Sequence, residues 1–271
     1  MSDRFDYNDF KTNLLALPAA FGFAFLCKLL KFPDLILWYF FSIPTHEMGH
    51  SVVAWLGSRF AIPVGAFIPM AAVTITFPGR SIFLFCLFSG LLLWWIWVSF
   101  RDGLSYPLVL SSFLLFLLVR TTWWMPDKTW QMWMGYGGVG GEFVLGTFLV
   151  ISFYYRLPEW MRWDFFRFPF LIVGSYSLTS AFYLWSQIRQ GTQQMPLGTF
   201  LDGRGDAGGD MDRLQQHGWK VAELVDSYYR LGVICVGVVL LHYAYFLTKK
   251  KRRSLLAETR RSPTPMADSM E

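Results

Sequence analysis

The chain has 271 residues; 54 % are hydrophobic, 19 % aromatic and only 16 % charged, and the formal net charge is +5. Soluble domains carry about 25 % charged residues, so this deficit, with its repeated long apolar runs, excludes an ordinary soluble enzyme and predicts an all-α polytopic membrane protein. Cys27, Cys86 and Cys235 each sit in an apolar stretch without a local partner, which argues against a disulfide framework or a cysteine-ligated metal.

In chain order, the first apolar run, 14–30, is too long for a signal-peptide core and lacks a small-residue cleavage site, so it predicts a transmembrane helix with Pro18 near its start. A second span is expected over 34–57. Further runs at 82–100, 106–124, 136–155, 168–188 and 231–247 bring the expected total to about seven, each near the roughly 20 residues that cross a bilayer. Aromatic residues gather near their ends (Trp123, Trp124, Trp130, Trp133, Tyr154, Tyr155, Trp160, Trp163), as at a membrane interface.

The stretch 60–80 does not read as a span. Pro63 and Pro69 interrupt it, and Val73-Thr74-Ile75-Thr76-Phe77 alternates like a strand. It predicts a short β-like or re-entrant insertion packed against the preceding helix, since non-helical backbone survives at membrane depth only where protein or a water-filled cavity covers it. After the last run comes Lys249-Lys250-Lys251-Arg252-Arg253. By the positive-inside rule this marks a cytoplasmic C-terminus. Residues 249–271 are expected as a disordered basic tail, and 1–248 as one transmembrane domain. Because its position explains the basic cluster, no nucleic-acid partner is expected. An even number of crossings separates the end of the 34–57 helix from the polar segment 189–230, which places both on one face of the bilayer.

The second span carries the chemistry. It contains His46-Glu47-Met48-Gly49-His50 inside an otherwise apolar run. On a helix, histidines four apart project from one face and can share a metal ion, while the glutamate beside them can accept a proton from an activated water. Such groups are costly in a bilayer and are retained mainly for function. Gly49, between the two histidines, permits a neighbouring helix or a substrate backbone to come close.

Catalytic zinc usually takes three protein ligands and keeps one position open. The sequence offers several candidates for the third. Asp202, Asp206 and Asp210 lie in a glycine-rich part of the 189–230 segment. Asp210 leads because Gly208-Gly209 frees the backbone before it and a helix-like stretch after it would fix its direction. His217 is a weaker candidate on a polar stretch. Glu142, a lone carboxylate after Gly137-Gly138-Val139-Gly140-Gly141, could ligate the metal or orient a ligand. That glycine run lacks the Lys-Ser/Thr and βαβ context of a nucleotide loop, and close helix packing explains it better.

With these residues in view, the chain resembles the site-2 protease family of intramembrane metalloproteases and their bacterial membrane-peptidase relatives. The resemblance rests on His46-Glu47-Met48-Gly49-His50-Ser51 in an early membrane helix, the β-like insertion after it, and a later Asp/Gly motif. It covers about residues 35–80 specifically and the remainder as a similar membrane architecture. It implies that His46, His50 and a distant Asp bind Zn2+ and that Glu47 is the general base. The family's Asn-x-x-Pro…Asp-Gly pattern has an echo in Pro196 and Leu201-Asp202-Gly203, with Gln193 at the Asn-like place and a Pro-to-Asp spacing one residue longer.

The expected function is therefore a multi-pass zinc metallopeptidase, in a bacterial inner membrane, cutting a membrane-protein or peptide substrate in or beside the bilayer. The rival expectation is a non-proteolytic carrier or assembly factor with a structural or vestigial metal site. A structural site would be closed by four protein ligands.

Overall fold

In the computed structural model, residues 10–64, 73–77, 79–155, 163–196 and 209–261 are described. The chain is almost wholly helical. Helix α1 is Phe10–Leu29 and α2 is Lys31–Leu37; a π-helical segment, Trp38–Ser42, leads directly into α3, Ile43–Leu56. Strands β1 (Ala61–Pro63) and β2 (Thr74–Thr76) follow. Helices α4 (Ile82–Arg101), α5 (Ser105–Trp124), α6 (Asp127–Ser152) and α7 (Trp163–Arg189) come next, then the short α8 (Asp210–Gln216) and the long α9 (Val221–Arg261).

Six helices among the described residues are long and apolar enough to cross a membrane: α1, α4, α5, α6, α7 and α9. They correspond to six of the seven expected runs and make this a multi-pass membrane architecture. The remaining run is built as α2, the π segment and α3 end to end. Pro44 accounts for the break. It has no N–H to return to Phe40, so the preceding turn widens, and the Ile43 N–H bonds five residues back to the Trp38 carbonyl.

Helix ends differ from the apolar runs. Helix α6 begins at Asp127 and α9 at Val221, well ahead of 136 and 231, because their first turns are polar yet helix-competent. At the other end, α9 continues through 249–261, where a disordered tail was expected from 249; Lys, Arg, Leu, Ala and Glu there are all good helix formers. Residues 262–271 lie outside the described residues.

The surface is apolar and part of the interior is polar. Ile82, Phe83, Phe100 and Leu241 point outward, while Asn13, Ser111, Ser175 and Ser177 are buried. That arrangement suits a hydrocarbon solvent, which offers polar groups no partners. The core is built around α6, α7 and α9: Tyr136 stacks on Tyr228 with ring centroids 4.5 Å apart, and Trp185 packs on Tyr228 at 4.4 Å.

Helices α3 and α6 run antiparallel and meet at glycines. A β-carbon on Gly49 would overlap the Gly137 carbonyl oxygen and come within 2.7 Å of Gly141 Cα. Without a hydrophobic drive between helices in lipid, close backbone approach through small residues is how such pairs gain van der Waals energy. One end of this pair is clamped by Arg59, buried over the Trp130 ring at 3.9 Å and ion-paired with Asp127, which Arg80 also reaches at 3.1 Å.

The insertion after α3 forms the expected strand pattern. Strands β1 and β2 are antiparallel, with Ala61 opposite Thr76 and Pro63 opposite Thr74. Thr74 and Thr76 turn inward, while Val73, Ile75 and Phe77 are exposed. The strands lie against α3, as the alternation predicted.

The glycine contact makes a testable demand. Gly49→Ala places a methyl into a fixed backbone carbonyl and should cost about 1–3 kcal/mol or more, read as a lower Tm in detergent. Gly90→Ala, on the outer part of α4 with nothing within 4 Å, should leave Tm unchanged or slightly raised.

Candidate metal centre

The α3–α6 approach sets the positions of both histidines. A β-carbon on Gly138 would collide with His46 Nε2 and lie 2.6 Å from His50 Nε2. The backbone of α6 is therefore the wall behind the two imidazoles, and only glycine fits there. The rings are nearly perpendicular, at 78°, with centroids 4.9 Å apart.

Each ring is held by its other nitrogen. His46 Nδ1 lies 2.8 Å from Glu142 Oε1, and His50 Nδ1 lies 2.7 Å from the Met134 carbonyl oxygen. A carbonyl can only accept, so His50 Nδ1 must carry the proton. An ionised Glu142 asks the same of His46. Both Nε2 atoms are thereby left as lone pairs in the neutral rings, facing the same point.

Asp210 occupies that point's third side. Its Oδ2 is 2.9 Å from His46 Nε2 and 3.0 Å from His50 Nε2. It arrives there as the first residue of α8, with Gly209 as the extended N-cap, and α8 packs on α6 at Gly135. Gly218, with φ +94°, then ends the short helix, and the Trp219 N–H returns to the Leu214 carbonyl.

His46, His50 and Asp210 thus form a group that could hold a metal ion, with one donor atom from each within 4.8 Å of the others. The donor chemistry fits. With both rings neutral, two imidazole lone pairs facing a carboxylate are all acceptors, and the contact is satisfied by a cation among them, either a metal ion or a second proton on a ring. For metal–ligand bonds near 2.0–2.2 Å, tetrahedral donors lie about 3.3 Å apart, so the two spacings from Asp210 to the histidines need to open by only a few tenths of an ångström.

The other anticipated residues fall into distinct places. Glu47 is buried beside the cluster; Thr74 Oγ1 donates to its Oε2 at 2.7 Å and also lies 2.9 Å from its carbonyl oxygen. Glu142 stands behind His46 as an orienting partner and is not in the metal group. His217 caps the end of α8 and is likewise not in it. Asp202 and Asp206 lie outside the described residues. Thr74 and Met134 were not anticipated. Thr74 had a signal, the period-two alternation that puts it on the inward face; the Met134 carbonyl is a backbone group and had none.

The metal group, Glu47, Glu142, Thr74 and Met134 line a cavity of about 340 Å³ that also reaches Trp38, Val73 and Arg213. No family model, curated protein or solved structure matches the chain, so the functional reading rests on this geometry.

Asp210→Ala and Gly138→Ala should each remove most divalent-metal uptake, the first by deleting a donor and the second by displacing both rings. Glu142→Gln should weaken affinity about 10–100-fold without abolishing it. Chelator competition followed by elemental analysis of the detergent-purified protein measures all three.

Proposed function

We propose that this chain is a membrane-embedded zinc metallopeptidase that hydrolyses peptide bonds in or beside the bilayer, as its resemblance to site-2 proteases implies. The observation that carries the proposal is the convergence of His46, His50 and Asp210 beside a buried Glu47, in a cavity opening next to an inward-facing strand. Two imidazoles and one carboxylate are a donor set that suits zinc. Zinc held there would supply Lewis-acid polarisation of a scissile carbonyl and a water acidified to near neutrality.

The chain's own residues would do the rest. Glu47 would take up the proton from the attacking water and return it to the departing amine. Thr74 occupies one Glu47 oxygen and so limits how the carboxylate can turn. Glu142 and the Met134 carbonyl keep the Nδ1 protons of His46 and His50 in place, leaving Nε2 free to bind. Gly209, the described end of the glycine-rich stretch before Asp210, stands at the cavity wall.

A catalytic site is favoured over a closed structural one by the donor count. Three donors converge among the described residues, and the nearest further carboxylates, Glu47 and Glu142, bond to Thr74 and His46 instead. Glu47→Gln should therefore retain stoichiometric zinc and lose hydrolysis of a membrane-peptide substrate by several orders of magnitude. Zinc retained with unchanged hydrolysis would overturn the assignment of Glu47 as the base, and a zinc-loaded unaltered protein that cleaves no membrane-peptide substrate would overturn the peptidase reading. Absence of zinc from the unaltered protein would overturn the metal assignment.

A further inference from the structure

We infer that Arg213 makes this cavity selective for a substrate carboxylate next to the scissile bond; the inference rests on the peptidase reading above and specifies its substrate class. Arg213 follows Asp210 by three residues on α8, so both side chains lie on the same side of that helix, and both line the cavity. Its stem is seated on α6, with Cβ 3.6 Å from where a β-carbon on Gly135 would stand. The residue is exposed, and among the described residues no carboxylate pairs with its guanidinium.

The other charged groups at the cavity have partners. Asp210 faces the two histidines, Glu142 bonds to His46 and Glu47 to Thr74. Arg213 is the one cationic side chain of fixed charge among the described lining residues, it shares the cavity with the metal group, and no described residue bonds to its guanidinium. A planar guanidinium presents parallel N–H donors that match a carboxylate in two-point fashion. Peptides offer carboxylates from two sources: an acidic side chain flanking the bond, or the free C-terminus of a chain cut near its end. The remaining wall at Trp38, Ile43, Val73 and Met134 is apolar and suits a neighbouring hydrophobic residue.

A competing role for Arg213 is general charge compensation. Three carboxylates line the cavity and a divalent ion would offset only two of them. That role predicts equal effects on every substrate, whereas carboxylate recognition predicts selective ones.

The full-length protein in detergent, loaded with zinc, is given matched peptides with an apolar core: one with Glu flanking the core, its Gln isostere, and versions with free or amidated C-termini. Cleavage is followed by mass spectrometry as kcat/KM. The unaltered protein should prefer a carboxylate-bearing peptide by about tenfold, the low end expected for an exposed charge-assisted pair. Arg213→Gln should erase the preference chiefly through KM, and Arg213→Lys should retain part of it, with zinc content unchanged in both. A preference for internal Glu identifies the side chain as the source, and one for the free terminus identifies the chain end; either supports the inference. No preference in the unaltered protein, or an equal fall for all peptides in Arg213→Gln, overturns it while leaving the peptidase reading intact. If the unaltered protein cleaves none of the peptides, the peptidase reading itself falls and takes this inference with it.

Discussion

The close approach of α3 to α6 is the constraint on which the rest of the site depends. Gly49 admits the Gly137 carbonyl and Gly141, and Gly138 leaves room for two imidazole nitrogens that a single methyl would displace. At a larger separation, Glu142 and the Met134 carbonyl on α6 could not reach the Nδ1 atoms of His46 and His50 on α3. Packing and chemistry are therefore one arrangement: the glycines that let the helices attract each other in lipid also set the distance at which the ligands are oriented.

The polar groups at this contact form a chain of forced choices. A backbone carbonyl fixes the proton on one His50 nitrogen, which leaves the other as an acceptor pointing at another acceptor, Asp210. In water such a clash is relieved by solvent; in a buried site it needs a metal ion or a second proton on the ring. Asp210 comes from outside the crossing helices, on a seven-residue helix that Gly218 terminates. It sits near the same end of α6 at which α3 finishes, Gly57 meeting Trp130 there as α8 meets Gly135. That common end is what an even number of crossings between the two segments requires.

Much of this was legible in the sequence, for identifiable reasons. Apolar length located six helices long enough to cross a membrane, histidine spacing located two possible donors, and a glycine pair before a polar helical stretch pointed to Asp210, which joins the two histidines among the described residues. The alternation at 73–77 announced a strand against the α3 helix. What stayed hidden depends on register between elements. Glu142 could be seen as a ligand or as an orienting group, and only the antiparallel offset of α6 against α3 puts it on Nδ1 of His46 and not on the metal side. The Met134 carbonyl has no side-chain signature at all. Helix starts at Asp127 and Val221 were missed because hydropathy registers the bilayer and not the helix.

The same register bears on whether the centre is built for binding alone. Two carboxylates besides Asp210 line the cavity, and either could close the coordination shell if its side chain turned inward. Neither is free to do so. Glu142 is drawn back by the His46 ring, and Glu47 is held from the side by a hydroxyl on β2, an element whose threonines face in because its apolar residues face out. The proposed peptidase needs one position kept open with a base beside it, and a two-stranded insertion and a helix register would supply that restraint from opposite sides.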